Sequence, residues 1–223
     1  MLTNGLALPS RCFGKPGYPR TTYNRNSNLQ QRGEPLTTIT TATERFEILD
    51  PHDARLEPVF TELVRDYHER YGDIEGHDAH AEVYDGTADT FLAENRGAFV
   101  ALLDGDTVIA TGGIRRLDDA TAEFKKIWSH PERRGQGLAS RMLEKLEATS
   151  RDLGYEKVYL MTGPRQPEAD RLYQRCGYTP HFEPGAFTVH PYVKALVPDA
   201  DANELPAAVT TEIFDFEGVT SQQ

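Results

Sequence analysis

Cysteine and long apolar segments are both scarce in this 223-residue chain. Its two cysteines, Cys12 and Cys176, lie far apart, which argues against a disulfide framework or a thiolate metal centre and fits a reducing cytoplasm. No apolar run approaches the roughly 20 residues that a membrane-spanning helix needs. The N-terminus also has no continuous apolar segment of the kind found in secretory signals. These absences predict a cytoplasmic protein that contacts no membrane.

Positive charge is in deficit, since 24 lysines and arginines face 35 acidic residues and the formal net charge is −11. The imbalance is uneven, because residues 1–43 contain five basic residues against one acid, whereas residues 198–223 contain six acids and no base. Binding to nucleic acid depends on neutralising phosphates with lysine and arginine. The charge therefore argues against a nucleic-acid partner and makes a local basic cluster informative.

Composition divides the chain into three parts. Residues 1–43 are rich in Thr, Asn, Gly, Pro and Arg without apolar periodicity, so we expect a disordered or loosely attached extension. Residues 44–197 show ordered helix and strand patterns and are predicted to form one mixed α/β domain. Residues 198–223 are predicted to be an acidic tail, in which "TTEIFDFE" is a candidate for one short strand.

The predicted order of elements in the domain is β-α-α-β-β-β-α-β-α-β, with a candidate extra strand at "YTPHF". Apolar residues at helical spacing predict a helix over 54–71, and a weaker pattern predicts a second over about 79–95. "AFVALLD" and "TVIATGGI" flank Gly105 in a predicted hairpin. The other predicted elements are the strands "RFEILD", "TAEFKKIW", "KVYLMT" and "AFTVHPYVKAL", a helix over 136–153 and a short helix "PEADRLYQRCG".

The junction "IWSHPERRGQGLAS" places two arginines and two glycines between a strand and a long helix. It is not a P-loop, because no Lys-Ser/Thr pair follows its last glycine. It is not a dinucleotide fingerprint, because Ser140 stands where the third glycine is needed. Small residues at 135, 137 and 139 let backbone N–H groups approach a pyrophosphate, and the helix N-terminus adds a favourable dipole. On this segment alone, a phosphate site and a plain glycine-containing loop are equally open.

From Thr121 to about Leu196 the chain resembles the GNAT superfamily of N-acetyltransferases. "AEFKKIWSHPERRGQGLASRMLEKLE" holds that family's Arg/Gln-x-x-Gly-x-Gly/Ala signature, and "LGYEKVYLMTGPRQPEADRLYQRCGY" holds its Leu-Tyr-x-x-x-Gly-aromatic helix end. The resemblance implies a mixed central sheet, splayed between its fourth and fifth strands and flanked by about four helices. Residues 45–120 agree with the family in element order only.

The same resemblance implies acetyl-CoA as co-substrate, a small-molecule amine as acceptor and no metal. The signature turn is expected to bind the pyrophosphate through backbone amides, and pantetheine to enter the gap between strands 121–129 and 157–163. Ser129 departs from the family, which usually has a bulkier apolar residue there, and Gln166 stands where many relatives have an Asn. The residues implied in cofactor contact are Ile127, Trp128, Ser129, Arg134, Gly135, Gln136, Gly137, Leu138, Ala139 and Gln166.

Direct transfer to an amine needs a base for the ammonium and an acid for the departing thiolate. By resemblance, Tyr173 is the acid and Glu123 the base. Tyr173 equally fits a core stripe of its helix, together with Ala169 and Leu172. Glu123 lies four residues before Ile127, about 13 Å along an extended strand. It therefore needs a bulge, a water relay or the bound amine itself to take part, and a plain ion pair is the simpler alternative.

The acceptor is the least determined part of the sequence-based interpretation. The predicted candidates around its groove are Tyr67, Tyr71, Tyr84, Asp118, Phe187 and Tyr192. Three histidines, His68, His77 and His80, are irregularly spaced and predict no metal site. An acyl-CoA-binding sensor or interaction module without catalysis is the alternative to an enzyme, and a homodimer is left open.

Overall fold

The computed structural model describes residues 44–74, 77–84 and 88–209. Within them, seven strands form one mixed sheet in the order β1-β2-β3-β4-β5-β7-β6, so the predicted α/β class is confirmed. The strands are β1 (Arg45–Leu49), β2 (Ala98–Asp104), β3 (Thr107–Arg116), β4 (Thr121–Ser129), β5 (Lys157–Thr162), β6 (Thr179–Pro180) and β7 (His190–Ala195). The helices are α1 (Glu57–Tyr71), α2 (Ala79–Val83), α3 (Leu138–Asp152) and α4 (Pro167–Arg175).

The sheet changes from antiparallel to parallel pairing at its centre. Strands β1 to β4 pair consecutively and antiparallel; short turns join β2 to β3 and β3 to β4, whereas α1 and α2 lie between β1 and β2. β4 and β5 run parallel, and α3 provides the crossover that a parallel pair requires. β7 then returns antiparallel between β5 and the short β6, which is the candidate strand at "YTPHF". This change of direction places the chain-reversing turn after β4 beside the end of β5.

Each face of the sheet carries its own apolar cluster. On one face, Leu138, Met142 and Leu146 of α3 pack against alternate residues of the strands. On the other face, the predicted apolar stripe of α1 packs around Phe99 and Trp128, which confirms the period read from the sequence. Helices therefore cover both faces, and the parallel pair lies between two layers.

Three predicted elements have different bounds. The second helix ends at Val83 instead of 95, and is followed by two 3-10 turns, Ala88–Phe91 and Ala93–Asn95. The sequence "DGT" at 85–87, between the helix and the first of these turns, contains poor helix formers. The last strand begins at His190 instead of 186, because Nε2 of His190 donates a 3.2 Å hydrogen bond to the carbonyl of Ala186 and the chain between them is curled. α3 begins at Leu138 because the residue before it is left-handed.

The terminal segments are only partly described. Residues 198–209 form turns without a strand, and the candidate strand "TTEIFDFE" lies beyond the described residues. The predicted extension 1–43 also lies outside them, so the three-part division of the chain stays a prediction. No helix in the described part is long and apolar enough to cross a bilayer.

Candidate active site

β4 and β5 pair only at their beginnings and then part. The parallel ladder joins Thr121–Glu123 to Lys157–Tyr159 and goes no further. β5 stays paired with β7 as far as Thr162. The edge of β4 that faces β5 has no strand partner from residue 124 onward among the described residues. The predicted splay is therefore confirmed. It leaves an open backbone edge along which an extended ligand can pair as an added strand.

A bulge at Lys126 sets the direction of the β4 side chains. Lys126 has a φ of 54°, and the register with β3 shifts at the same place. Because an inserted residue reverses the alternation of a strand, Phe124 and Ile127 pack on the α3 face while Trp128 packs on the α1 face. Nζ of Lys126 donates a 2.9 Å hydrogen bond to the carbonyl of Val83, which ties the bulge to the end of α2.

The turn after β4 presents its amides outward. Gly135 and Gly137 both have a φ of 78°, and a Cβ at either position would meet nothing within 4 Å. The backbone N–H groups of residues 135–140 donate no hydrogen bond to another described residue, and the first amide of α3 that does so belongs to Arg141. Unpaired N–H groups at the start of a helix, with a favourable dipole behind them, form an anion-binding site.

The basic residues around this turn differ in their availability. Arg133 is held by Asp104 at 2.9 Å and by Glu44 at 3.1 Å, and Arg141 by the same Glu44 at 2.7 Å. These two guanidinium groups therefore brace the turn against the start of the domain. Arg134 is exposed and has no ion-pair partner in the described part of the chain, so its charge is available to a ligand.

A cavity of about 1270 Å³ lies in the gap and continues over the turn. This volume exceeds the usual range of small-molecule sites and leaves room for two substrates. It is lined by nine of the ten residues expected to contact the cofactor: Ile127, Trp128, Ser129, Arg134, Gly135, Gly137, Leu138, Ala139 and Gln166. Gln136 does not line it, because its side-chain oxygen accepts a 3.0 Å hydrogen bond from Arg133.

Tyr173 of α4 lines the cavity while being only 6% exposed. It belongs to the core cluster, with its ring edge-on to Tyr192 at 5.4 Å between centroids. The core stripe and the cavity position predicted from the sequence are thus compatible. Its hydroxyl has no hydrogen-bond partner among the described residues. Burial raises the pKa of Tyr173, and the neighbouring Tyr192 and Asp170 raise it further, so the hydroxyl is protonated at neutral pH.

Glu123 is placed differently from what a direct base requires. It is 3% exposed and does not line the large cavity. Its carboxylate is bonded to Nε of Arg115 at 2.7 Å and to Nζ of Lys125 at 3.1 Å, so the ion pair weighed in the sequence analysis is present. Glu123 lies at the last paired position of the parallel ladder, just before the strands separate. A role for it in proton transfer would have to pass through Lys125, which does line the cavity.

Gln166 orders the loop between β5 and α4. Its side-chain oxygen accepts hydrogen bonds from the hydroxyl of Thr162 at 2.5 Å and from the amide of Gly163 at 3.0 Å. Pro167 then begins α4, where a missing N–H costs nothing. This loop holds the helix that carries Tyr173 against the end of β5.

The end of the cavity opposite the turn is aromatic and acidic. Tyr67 and Tyr71 of α1 line it, as expected, but Tyr84, Asp118, Phe187 and Tyr192 do not. Asp118 instead accepts from the amides of residues 120 and 121 in the turn before β4, and the Tyr192 hydroxyl donates to Asp170 at 3.0 Å. Burial raises the pKa of Tyr71 to about 12. Six charged or titratable residues at this end were not among the predicted site residues: Asp66, Arg70, His77, Asp78, Glu82 and Glu168.

Only some of those residues carried a detectable signal. Asp66 and Arg70 flank Tyr67 and Tyr71 on one face of α1, so helical spacing could have indicated them. His77 and Glu82 lie in and before a five-residue helix without a periodic pattern, and only its packing brings them to the cavity. Within the described ranges, no group of three or more His, Cys, Asp or Glu side chains is arranged to hold a metal ion.

Several known proteins are similar to this chain. An uncharacterized N-acetyltransferase of Mycobacterium tuberculosis is 27% identical over 107 residues, which are 46% of this chain and 69% of that protein. Human N-acetyltransferase 8 is 30% identical over 94 residues, which are 40% of this chain and 41% of the human protein. These matches cover less than half of the chain, and the human match less than half of either protein.

Solved structures share the fold at low sequence identity. A GNAT-family acetyltransferase of Staphylococcus aureus superposes with a TM-score of 0.55 at 15% identity, covering 70% of this chain and 100% of that one. The PaiA N-acetyltransferase of Thermoplasma acidophilum, in complex with coenzyme A, gives 0.55 at 13% identity and covers 69% and 99%. The predicted splayed architecture is confirmed by this likeness.

A model of the Acetyltransferase (GNAT) family matches residues 56–178, more than half of the chain, and this range contains the splayed strands, the turn and Tyr173. The chain therefore belongs to the GNAT family of acetyl-CoA-dependent N-acetyltransferases.

Proposed function

We propose that this protein transfers the acetyl group of acetyl-CoA directly to the primary amine of a small molecule. The observation that carries the proposal is the single cavity that joins the unpaired amides of the turn, the open edge of β4, the Tyr173 hydroxyl and an acidic end. Each of these features matches one part of the two substrates.

The turn suits the diphosphate of coenzyme A. Six consecutive backbone N–H groups without an acceptor, at residues 135–140, surround a space that no side chain fills. Arg134 adds an unpaired positive charge at its entrance. Successive backbone donors and one exposed guanidinium favour a diphosphate over a carboxylate, because a diphosphate has enough oxygen atoms to accept hydrogen bonds from several successive N–H groups.

The open edge of β4 suits the amide-containing arm of the same molecule. Ile127, Trp128 and Ser129 line the cavity at this edge, beyond the last pair with β5. An arm that hydrogen-bonds there as an added strand would bring its thioester towards the point where the strands converge. Tyr173 lines the cavity from the α4 side.

The transfer then balances in three movements. The free amine attacks the thioester carbonyl carbon, and a new C–N bond forms. The C–S bond breaks, and the sulfur receives a proton from the Tyr173 hydroxyl, which burial keeps protonated. The ammonium loses two protons in all: the first, lost before the attack, must go to a base within reach of the acceptor, and the second, lost as the amide forms, restores the Tyr173 hydroxyl. Glu123 was the expected base, but its carboxylate is paired with Arg115 and Lys125. It could accept the proton only through a relay.

The acidic end favours a small cationic acceptor. Arg70 bonds Glu168 of α4 at 2.7 Å and the carbonyl of Arg165 at 2.7 Å, while Arg165 bonds Asp73. These contacts bridge α1 and the β5–α4 loop across this end of the cavity. We infer that this bridge favours a small amine over a folded protein substrate.

The experiment is thiol release from acetyl-CoA, followed over a library of primary amines, with calorimetry of coenzyme A binding in parallel. We expect release with at least one small amine. Tight coenzyme A binding without release for any small amine would contradict the proposal and favour the sensor. Release only with protein lysines would contradict the small-molecule acceptor.

A further inference from the structure

We propose that Glu82 of α2 is the general base that takes the proton from the acceptor ammonium, and that His77 and Lys126 position it. The inference rests on the proposed acetyl transfer and names the group that this transfer lacks. It assigns a catalytic role to a helix in which no sequence motif indicates a functional residue.

Glu82 differs from Glu123 in its access to the cavity. Its side chain is 54% exposed and lines the cavity at the acidic end, whereas the Glu123 side chain is 4% exposed and does not line it. The Glu82 carboxylate has one hydrogen-bond partner in the described part of the chain, and that partner is His77. A carboxylate with free lone pairs can accept a proton from a bound ammonium without first leaving an ion pair.

His77 orients this carboxylate. Nε2 of His77 lies 3.0 Å from Oε2 of Glu82. Because a carboxylate only accepts hydrogen bonds, the imidazole carries a proton on Nε2. Nδ1 of the same ring is buried without a partner among the described residues. The ring also packs on Tyr71 with 5.5 Å between centroids, so its position is fixed from two sides.

Lys126 and the buried face of α2 hold Glu82 over the gap. Val83, the next residue, is 4% exposed, and its carbonyl accepts the 2.9 Å hydrogen bond from Nζ of Lys126. Asp78 caps the start of the helix by accepting from two of its amides. The five-residue helix is therefore capped at its start and tied to β4 at its end. Lys126, which forms the bulge in the β4 edge where we expect the thioester, also positions the carboxylate for the amine.

Tyr67 of α1 lines the same cavity as Glu82 and the proposed acid Tyr173. Burial, and after it the negative charge of Glu82, raises the pKa of Tyr67. An amine bound against Tyr67 would have a carboxylate on one side and the departing sulfur on the other.

The proton movement is complete with these residues. One ammonium N–H bond breaks and its proton passes to a carboxylate oxygen of Glu82, so the nitrogen lone pair is free to attack. As the C–S bond breaks, the Tyr173 hydroxyl gives its proton to the sulfur, and the nitrogen loses its second proton, which restores Tyr173. After the product leaves, Glu82 returns its proton to solvent through its exposed side.

The test compares Glu82→Gln with the wild type as a function of pH, using acetyl-CoA and the alkylamine that turns over fastest in the amine screen. At pH 7 we expect kcat/KM of the variant to fall by about 10² to 10⁴-fold, the usual contribution of a general base. The variant depends on amine that is already deprotonated. Its log kcat/KM should therefore rise with pH with a slope of one up to about pH 9. The wild-type profile should be flatter over the same pH range.

Matched variants separate the base from bystanders. Glu69→Gln, on the exposed face of α1, should stay within twofold of the wild type. His77→Ala should lower kcat by at least about tenfold, the value of one hydrogen bond to a charged group, and His77→Gln should restore most of it. Coenzyme A affinity should be unchanged in all of them, and the melting temperature in Glu82→Gln and Glu69→Gln.

Three results would overturn the inference. The first is a Glu82→Gln variant whose kcat/KM stays within threefold of wild type at every pH. The second is a Glu82→Gln variant in which only KM rises while kcat and the pH profile stay intact, since this would make Glu82 a binding group. A slope of one in Glu123→Gln and not in Glu82→Gln would give the role to Glu123. Failure of the wild type to acetylate any amine is distinct from these, because it would remove the proposed function itself.

Discussion

The hydroxyl of Thr111 in β3 donates a 3.0 Å hydrogen bond to the backbone carbonyl of Lys126 in β4. This bond holds a residue with positive φ in the middle of a strand, where a lysine is unfavourable. Such strain persists only where surrounding contacts determine the backbone, and it is concentrated at functional sites. Here the bulge lies at the start of the open edge, so it shapes the place where we expect the thioester to bind.

Replacing the proposed acid tests the chemistry without disturbing binding. Tyr173→Phe should lower kcat by about 10² to 10⁴-fold while the dissociation constant of coenzyme A stays within a few-fold, because the ring still packs in the core. Stopped assays of thiol release and calorimetry measure the two quantities. Tyr159→Phe, which removes a hydroxyl from a buried tyrosine outside the cavity, is the control. An unchanged kcat in Tyr173→Phe would remove Tyr173 as the acid.

The raised pKa of Tyr173 predicts the alkaline side of the pH profile. An acid must be protonated to act, so its contribution is lost as pH rises through its pKa. Burial moves the pKa of Tyr173 above the ordinary value of about 10, and the loss moves with it. We therefore expect kcat not to fall up to about pH 10, measured with saturating acetyl-CoA and amine. An alkaline fall near pH 8 that disappears in Tyr173→Phe would contradict this placement.

The turn is tested by adding charge where only backbone is present. Gly137→Glu should abolish coenzyme A binding by calorimetry, because a carboxylate would occupy the diphosphate space. Gly137→Ala adds only the strain of a left-handed residue, about 1–2 kcal/mol, and should weaken binding less. Gly105→Glu is the control, since Gly105 has a similar φ of 62° and equally open surroundings in the β2–β3 turn. Retained affinity in Gly137→Glu would show that the diphosphate lies elsewhere.

Glu123 should matter mainly for stability. Glu123→Gln leaves Arg115 and Lys125 without their carboxylate, and we expect the free energy of unfolding in urea to fall by about 2 kcal/mol. This is less than for a fully buried pair, because the Arg115 and Lys125 side chains are 25% and 29% exposed. Exposed Glu69→Gln should change it by less than about 0.5 kcal/mol. No loss of stability in Glu123→Gln would mean that the ion pair contributes nothing to the fold.

Periodic patterns predicted most of the architecture. The apolar residues of α1 at spacings of three and four have to be buried on one side, and the structure buries them against Phe99 and Trp128. The alternative at Tyr173 could not be decided in this way, since a stripe of the same period describes both a core residue and a residue at the edge of a cavity. The weak pattern over 79–95 placed the start of the second helix correctly and its end too late, because a weak pattern says little about where a helix ends.

By itself, the sequence determined the class of fold, the turn with its two glycines and the helix that carries Tyr173, because each depends on residues close together in the chain. The tertiary structure decided that Arg133 and Arg141 both pair with Glu44, that Glu123 pairs with two cations, and that Glu82 lines the acidic end of the cavity. These relationships join residues up to about a hundred positions apart. Their outcome depends on which groups meet when the layers pack, and no local pattern records that meeting.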